Sequence, residues 1–430
     1  MKPGTIPEAT TTEARDTTVV GHRPSRCGWW RVHAILFVAA LAARLAFQGG
    51  LVGWSTPPKD DAALYDSIAA SLSQGGAYVD AEGYRSRRAP AFTFLLAGLY
   101  ATVGHSWPAA RVTQAVLGAA ACSILLSLGS AWLGRRVGLA AALACAIFPY
   151  TVYWSGHLLS EPLCTLLTTA STWALLRAGS DLRLTATWAF LCALATLTRP
   201  NMGLLFVLGM AWILPLSRRR WAAVALALAV FCLALSPWAV RNYLVHHAFV
   251  PITSMGGVVL WEGNNPIVAA TPYLRGRSLT ADLEKNDPAF DLPELEQDRV
   301  LGRRALRFIR ERAGDMPGLV GSKSLRLWNV FPALETSWQR WLAAATLIPV
   351  LAMFGLGVVG ACARQDVRVF PLLVPVFTVM LTAAIYWADA RIRAPADPMI
   401  LLVASYGLWS VLDPRRGGEG RSSKPGTPLL

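Results

Sequence analysis

The sequence predicts an all-α integral membrane protein: a polytopic helical bundle of about ten transmembrane helices, with juxtamembrane helices and an extracytoplasmic loop segment. Of its 430 residues, 54% are hydrophobic and 15% are charged, whereas soluble chains carry about 25% charged residues. The mean hydropathy is +0.41. The net charge of +14 comes from short Arg and Lys clusters between apolar runs, a pattern typical of cytoplasmic membrane loops. No basic face interleaved with aromatic residues occurs, so we expect no nucleic-acid partner.

Apolar runs predict the membrane spans. They lie at residues 33–53, 110–133, 138–154, 158–176, 184–198, 202–216, 221–238, 341–361, 370–386 and 395–412. A perpendicular span needs about 20 residues, so 184–198 and 395–412 are short. The polar, Thr-rich residues 1–30 predict a disordered cytoplasmic tail, and residues 413–430 are expected to form a C-terminal cytoplasmic tail.

The run at residues 91–104 decides the orientation of everything after it. As a helix it reaches only about 21 Å, less than a membrane core. If this run stays on the outer surface, the basic clusters share the side of the N-terminus; if it crosses, nearly all of them face outward. The positive-inside rule favours a juxtamembrane helix at 91–104 and two cytoplasmic termini. The clusters are Arg135, Arg136, Arg177, Arg183, Arg218, Arg219, Arg220, Arg364, Arg368, Arg415 and Arg416.

This orientation divides the chain into three parts between the tails. They are a membrane module at 31–240 with a first outer loop at 54–90, an extracytoplasmic segment at 241–340 and C-terminal transmembrane helices at 341–412. Within the extracytoplasmic segment, residues 293–313 have the apolar spacing of an amphipathic helix, and residues 317–331 suit a helix lying on a membrane surface.

Two adjacent carboxylates stand in the first outer loop. Asp60 and Asp61 directly precede a helical pattern in which Leu64, Ile68 and Leu72 are spaced four apart. One interpretation is that an Asp side chain caps this helix. The other is that an outward-facing carboxylate at the membrane surface acts as a general base.

Basic residues mark further outer ends of the predicted spans. The first outer loop ends in three Arg residues that include Arg88, and Arg199, Arg391 and Arg393 stand at other outer ends. Such residues can anchor to the phosphates of bulk lipid. They can equally hold the phosphate of a specific lipid substrate, because a guanidinium fork matches phosphate oxygens.

Glu161 opens one predicted span, and His157 precedes it by four residues. A charge at membrane depth costs about 2.5 to 3.5 kcal/mol, so a structural pair between Glu161 and an Arg is one interpretation and a substrate site is the other. His157 and Glu161 are four apart and could share a helix face, but two potential ligands are too few to predict zinc. Arg44 lies midway along the first span, and the sequence shows no partner for it.

Several motifs of soluble enzymes do not occur in the sequence. It contains no phosphate-binding loop, no strand-flanked Gly-x-Gly-x-x-Gly fingerprint, no nucleophile elbow and no metalloprotease motif. A nucleotide-driven pump is therefore not expected.

Taken in order, the outer motifs resemble those of the GT-C superfamily of extracytoplasmic glycosyltransferases. The bacterial glycosyltransferase family 39 group is the most similar in pattern, together with protein O-mannosyltransferases and the lipid A aminoarabinose transferase. The matching residues lie at 61–65, 88–90, 160–161, 197–200, 238–243, 256–266 and 391–395. The sequence departs from the family's Arg/Lys-Pro-Pro element in having Ala89 after Arg88.

The resemblance implies a glycosyltransferase in a bacterial inner membrane with its site facing the periplasm. The donor would be a sugar on polyprenyl phosphate, transferred with inversion to a hydroxyl of a glycolipid, lipid A or a protein Ser/Thr. No cofactor is implied, and the metal requirement stays open. An apolar groove would take the isoprenoid tail, with residues 91–104 as one wall.

The resemblance also implies roles for individual residues. Asp61 would be the catalytic base, with Asp60 as the neighbouring candidate. Donor phosphate contacts would come from Arg88, Arg199, Arg391 and Arg393, and further substrate-site candidates are Tyr65, Glu161 and His157. Two other functions remain open: a non-catalytic flippase or transporter of lipid-linked sugar, and an O-antigen polymerase or ligase.

Overall fold

A computed structural model of the chain describes residues 26–178, 181–217, 219–271, 275–278, 287–330 and 337–412. Within these ranges the regular structure is helical and contains no strand, so the predicted all-α fold class is confirmed. Most of the predicted N-terminal tail and all of residues 413–430 lie outside the described residues. The first helix begins at Arg26, inside the segment predicted as a tail.

The first half of the chain forms eight helices. They are α1 Arg26–Phe47, α2 Asp61–Ser73, α3 Pro90–Val103, α4 Trp107–Trp132, α5 Arg135–Ile147, α6 Pro149–Ser155, α7 Glu161–Leu175 and α8 Leu182–Thr198. Proline stands in the first turn of α3, α4, α6 and α7. It favours these starts because its fixed φ suits a helix and the first turn needs no N–H donor from it.

The second half continues with α9 to α18. They are α9 Gly203–Leu216, α10 Arg220–His246, α11 Gly256–Gly263, α12 Pro266–Ala270, α13 Glu294–Glu311, α14 Met316–Leu327, α15 Ser337–Arg364, α16 Val374–Ile385, α17 Ala390–Arg393 and α18 Asp397–Leu412. The amphipathic pattern at 293–313 thus forms α13, and the surface-lying pattern at 317–331 forms α14. α13 packs closely on α11, because a Cβ on Gly257 would lie 2.0 Å from the Asp298 carbonyl oxygen.

Six helical stretches in the described residues are long and apolar enough to cross a membrane, and the bent pair α5 and α6 makes a seventh. The chain is therefore a multi-pass membrane protein. The predicted spans at 158–176, 184–198 and 202–216 form α7, α8 and α9, which have 15, 17 and 14 residues. A perpendicular span needs about 20 residues, and these three helices are shorter. A total of about ten crossings therefore stays a prediction.

Arg44 stabilises the break between α5 and α6. Its Nη1 donates to the carbonyl oxygens of Ala40 at 3.0 Å and Ala146 at 3.2 Å, and its Nη2 donates to that of Cys145 at 3.3 Å. The last carbonyls of α5 lack intrahelical donors because Pro149 follows the break. Arg44, buried in the bundle, supplies the missing donors and so has a structural role.

The termini of the helices lie at two opposite ends of the bundle. At one end, Cζ of Arg135 lies 4.2 Å from the ring centroid of Trp29, and Cζ of Arg136 lies 5.8 Å from that of Trp409. The start of α1, the start of α5 and the end of α18 therefore meet there. The start of α7 and the end of α8 lie at the other end, beside α17. Which end faces the cytoplasm stays a prediction from the positive-inside rule.

Candidate active site

Two carboxylates and three guanidinium groups meet at the end of the bundle opposite Arg135. They come from five separate parts of the chain: Asp61 opens α2, Arg88 precedes α3, Glu161 opens α7, Arg199 follows α8 and Arg391 lies in α17. The ion pairs join them into one continuous chain of alternating charge, which we call the ion chain. All five residues are candidates from the sequence, and the fold brings them together.

Asp61 lies between two arginines. Its Oδ1 accepts a hydrogen bond from Nη2 of Arg88 at 2.6 Å, and its Oδ2 accepts one from Nη1 of Arg391 at 2.6 Å. The Asp61 side chain keeps 29% of its surface exposed, so a substrate can approach it. As the first residue of α2, it also stands at the helix end where a negative charge is favoured.

Glu161 is the buried member of the ion chain. Its side chain is fully buried, and its Oε1 accepts hydrogen bonds from Nη1 of Arg199 at 2.7 Å and from Nε of Arg391. Arg391 thus spans both carboxylates with different edges of its planar guanidinium, which a lysine ammonium does not match. With both carboxylates ionised, three positive groups face two negative ones, and the ion chain keeps one net positive charge.

The electrostatics of Asp61 favour its ionised form. Burial raises the pKa of the Asp61 carboxyl, but the guanidinium groups of Arg88 and Arg391 outweigh this effect and hold the pKa below its usual range. Opposite charges in direct hydrogen-bond contact stabilise the carboxylate more than the partial loss of water destabilises it. Asp61 therefore carries a negative charge at neutral pH.

Asp60 differs from Asp61 in backbone conformation, exposure and ion pairing. It takes the N-cap position of α2 with φ 50° and ψ −130°, yet its side chain makes no capping hydrogen bond. A positive φ is strained for an aspartate. The side chain is exposed, and within the described residues no ion pair includes it. The capping interpretation thus fails for Asp60, while Asp61 is the one in the ion chain.

The ring of Tyr65 packs against the guanidinium group of Arg88. It lies one helical turn after Asp61 on α2, and its ring centroid is 5.8 Å from Cζ of Arg88. The ring is buried and makes an edge contact with Phe92, with centroids 5.2 Å apart. This packing joins α2 to α3 and limits the positions that the Arg88 side chain can take.

Arg393 lies apart from the ion chain, although it was predicted to contact the same phosphate. Its guanidinium is buried, with Nε donating to Oδ1 of Asp397 at 2.8 Å and Nη1 donating to the Leu327 carbonyl oxygen at 3.2 Å. Residues two apart on a helix do not face the same way. Arg391 therefore points into the site, and Arg393 points into the bundle.

His157 also lies outside the ion chain. α6 ends at Ser155 and α7 begins at Glu161, so the expected shared helix face between His157 and Glu161 is wrong. Pro162, in the first turn of α7, favours a new helix start instead of a continuous helix. Nδ1 of His157 lies 3.1 Å from the Tyr153 carbonyl oxygen, which holds the ring against α6.

A cavity of about 570 Å³ opens beside Arg391. Its volume is within the range of small-molecule pockets. Residues 91–104, predicted to form one wall of a groove for the isoprenoid tail, do not line this cavity; its walls come from α1, α6 and α15. Its apolar side chains include Phe47, Leu51, Ile147 and Leu342, its aromatic ones Trp154, Trp338 and Trp387, and its polar ones Arg277, Ser278 and Asp389.

Asp66 is a nearby carboxylate that the sequence analysis did not single out. It accepts hydrogen bonds from the Tyr100 hydroxyl at 2.6 Å and Trp107 Nε1 at 3.0 Å, and His105 Nε2 lies 3.0 Å from it. These contacts anchor α2 to the α3–α4 connection and thereby position Asp61.

In the described part of the chain, no three His, Cys, Asp or Glu residues group closely enough to hold a metal ion.

The chain is similar to known proteins in sequence and in fold. Residues 87–240 match the family model described as dolichyl-phosphate-mannose-protein mannosyltransferase. The archaeal oligosaccharyltransferase AglB from Archaeoglobus fulgidus, in complex with an inhibitory peptide and a dolichol-phosphate, is 14% identical with a TM-score of 0.55. The match covers 94% of this chain and 53% of AglB. The apo form gives 14% identity and a TM-score of 0.56, covering 90% and 52%.

A further match is to ArnT from Cupriavidus metallidurans bound to undecaprenyl phosphate, with 14% identity, a TM-score of 0.44 and coverage of 94% of this chain and 82% of ArnT. No curated protein sequence matches the chain. The chain spans about half the length of AglB, and it shares the AglB fold over most of its own length. The resemblance expected from the sequence motifs is confirmed to this extent: residues 87–240 match the model of the dolichyl-phosphate-mannose-protein mannosyltransferase family, and the chain is similar in fold to the oligosaccharyltransferase AglB.

Proposed function

We propose that this protein is a membrane glycosyltransferase that moves a sugar from a polyprenyl-phosphate donor to a hydroxyl acceptor, with inversion. The acceptor would be a glycolipid, lipid A or a protein Ser/Thr, on the periplasmic side of a bacterial inner membrane. The observation that carries the proposal is the ion chain, in which a partly exposed, ionised Asp61 lies between Arg88 and Arg391, and Arg391 also lines the cavity.

The cavity and the arginines suit the two ends of such a donor. An isoprenoid tail needs an apolar wall, which Phe47, Leu51 and Leu342 offer, and Arg391 stands at the edge of the same cavity. The one net positive charge of the ion chain suits the single negative charge of a sugar phosphodiester. The dolichol-phosphate in the AglB structure and the donor in the matched family's name support this class of lipid.

Transfer then needs one proton acceptor and several cations. Asp61 takes the proton of the acceptor hydroxyl, whose oxygen forms the new bond to the anomeric carbon. The bond between that carbon and the phosphate oxygen breaks, and its electron pair stays on the phosphate. Guanidinium groups stabilise the charge that develops there. No nucleotide is needed, because polyprenyl phosphate itself is the leaving group.

Donor binding would also make the Asp61 carboxylate a stronger base. A carboxylate held by two arginines is a weak base, because both cations stabilise its unprotonated form. A phosphate that draws Arg88 and Arg391 toward itself weakens their contacts with Asp61 and makes the carboxylate more basic. The base is thus strengthened when the donor is in place.

No observation favours the flippase alternative. A flippase needs charged or polar groups deep in its spans, and Arg44, which lies midway along the first span, is instead bound to the carbonyl oxygens at the end of α5. An O-antigen polymerase or ligase would use the same kind of site with an oligosaccharide on the lipid. The size of the transferred glycan distinguishes it from a single-sugar transferase.

The direct test uses the purified full-length protein in liposomes with labelled polyprenyl-phosphate sugars. We expect release of polyprenyl phosphate and a labelled glycosidic product only when a hydroxyl acceptor is present. Mass spectrometry of the product identifies the sugar and the acceptor class. Movement of labelled lipid between leaflets without any glycosidic product, by protein that binds polyprenyl phosphate, would contradict the proposal and support a flippase.

The pH dependence offers a separate prediction. Arg88→Met removes one of the cations that lower the pKa of Asp61, so this pKa should rise. Because kcat/KM falls as pH drops through the pKa of an essential base in the free enzyme, the acid limb of the kcat/KM profile should move to higher pH. Arg87→Met is the matched control, since Arg87 pairs with Glu82 and lies over Tyr84. An unmoved limb in Arg88→Met would remove Asp61 from the base role.

A further inference from the structure

We propose that the extracytoplasmic segment, residues 241–340, positions two arginines of the ion chain. Glu294 holds the loop that carries Arg88. Lys323 holds the turn that leads to Arg391. Both act as positioning residues for the donor phosphate, so this inference rests on the proposed function and adds to it.

Glu294, in the first turn of α13, receives the backbone of the Arg88 loop. Its Oε2 accepts from the N–H of Arg85 at 2.8 Å, and its Oε1 accepts from the N–H of Ser86 at 2.8 Å. The Ser254 hydroxyl also donates to Oε1. One carboxylate thus holds two successive amides of an irregular loop that would otherwise have no regular hydrogen-bond partners.

The end of α10 holds the same two residues from a second side. Arg241 Nη1 donates to the Arg85 carbonyl oxygen at 2.7 Å, and the Ser86 hydroxyl donates to Asn242 Oδ1 at 2.9 Å. Residues 85 and 86 are therefore held in place by α10 and α13 together. Arg88 stands two residues after Ser86, and its guanidinium donates to Asp61 from this anchored loop.

Lys323, on α14, acts at the opposite side of the ion chain. It is fully buried, and its Nζ donates to Asn264 Oδ1 at 2.8 Å and to the carbonyl oxygens of Ala384 at 3.4 Å and Ile385 at 3.5 Å. These carbonyls belong to the last turn of α16, where helical partners are missing and a positive charge is favoured. Asn264 Nδ2 adds a hydrogen bond to the Ile385 carbonyl oxygen at 2.9 Å.

The turn between α16 and α17 is also held by its backbone. The Ala388 N–H donates to the Gly276 carbonyl oxygen at 2.9 Å, and a Cβ on Gly263 would lie 1.9 Å from the Tyr386 carbonyl oxygen. Side chains and backbone of the extracytoplasmic segment therefore contact this turn at three places. Arg391 follows it within the first residues of α17.

Lys323 is charged and fully buried, where charge is costly. Burial lowers the pKa of Lys323 to about 8, which reflects the loss of water around its ammonium group. A helix packed on the bundle by apolar contacts alone would avoid this cost. Electrostatic stabilisation of a phosphate, by contrast, requires donors held to within about 0.5 Å, and these two charges hold the backbone on both sides of the ion chain.

The experiment measures polyprenyl phosphate binding and steady-state kinetics for Glu294→Ala and Lys323→Met in the full-length protein. We expect the Kd for polyprenyl phosphate and the donor KM to rise about tenfold in each variant, which corresponds to about 1.4 kcal/mol. The acceptor KM should stay unchanged. Arg304→Ala is the matched control, because Arg304 pairs with Asp287 in the same segment without contacting either arginine loop, and it should bind the lipid normally.

Two further variants separate positioning from folding. Glu294→Ala added to Arg88→Ala should cause no further loss of binding, since residues acting through one group are not additive; an additive loss would overturn the inference. Lys323→Gln keeps amide donors for the α16 carbonyls and should recover part of the binding lost in Lys323→Met. If Glu294→Ala does not fold, Glu294→Gln should still bind polyprenyl phosphate more weakly. The nitrogen of the Gln amide cannot accept a hydrogen bond from the Arg85 N–H, as the carboxylate oxygen does.

The outcomes for the two proposals are distinct. If Arg88→Ala loses polyprenyl phosphate binding while Glu294→Ala and Lys323→Met bind normally, the positioning inference fails and the proposed function stands. If Arg88→Ala itself binds polyprenyl phosphate normally, the proposed function loses its phosphate site.

Discussion

Asp61→Asn is expected to lower kcat for sugar transfer by about 10²- to 10⁴-fold, the usual contribution of a general base. The amide has the shape of the carboxylate and can still accept from one arginine, so the variant should fold. It cannot take the acceptor proton. Because it also no longer neutralises Arg88 and Arg391, polyprenyl phosphate should bind at least as tightly as to the unchanged protein. Turnover assays and lipid-binding measurements on the same preparation test both parts.

Asp60→Asn is the matched control for this experiment. Asp60 is exposed and outside the ion chain, so its substitution should change kcat by less than about threefold, within the spread of surface substitutions. If Asp60→Asn abolishes transfer while Asp61→Asn retains it, the base is Asp60, and the pairing of Asp61 with two arginines is structural.

Arg391→Lys should cause the largest loss of donor binding. Arg391 contacts Asp61 through Nη1 and Glu161 through Nε, and an ammonium group cannot hold both carboxylates in this geometry. We expect the Kd for polyprenyl phosphate to rise more than tenfold. Arg391→Ala should in addition destabilise the fold, because it leaves the buried Glu161 with Arg199 as its one remaining ion-pair partner. Thermal unfolding and lipid binding separate the two effects.

Arg393→Lys serves as the comparison, since it stands two residues away on α17. Its guanidinium pairs with the buried Asp397 and does not join the ion chain. We expect lower thermal stability without a change in the Kd for polyprenyl phosphate. An equal loss of lipid binding in Arg393→Lys would support the original expectation that Arg393 contacts the donor phosphate.

Much of the candidate site could be predicted from residue types and their order. Asp61, Glu161 and Arg199 each stand at a helix end, where apolar patterning stops and a charge becomes conspicuous. Because unpaired charges at membrane depth are costly, charged groups at one end of a bundle are expected to meet. That argument does not distinguish Arg391 from Arg393, since the orientation of a single helical turn depends on what packs against it.

The roles of Glu294 and Lys323 and the walls of the cavity could not be predicted from the local sequence. Glu294 looks like an ordinary acid in the first turn of an amphipathic helix, but its partner amides lie 209 and 208 residues away. Lys323 looks like a surface lysine in a helix expected to lie on the membrane, but the structure buries it against α16. The cavity walls likewise come from α1, α6 and α15, which are distant in the chain.

Composition and periodicity by themselves determined that this chain is a helical membrane protein with charged motifs at its helix ends, because the cost of placing charge in lipid acts on each segment separately. Only the tertiary structure decided which charges pair, which arginine enters the site and which segment holds it. Those outcomes depend on contacts between residues far apart in sequence, whose energies exist only once the helices are packed.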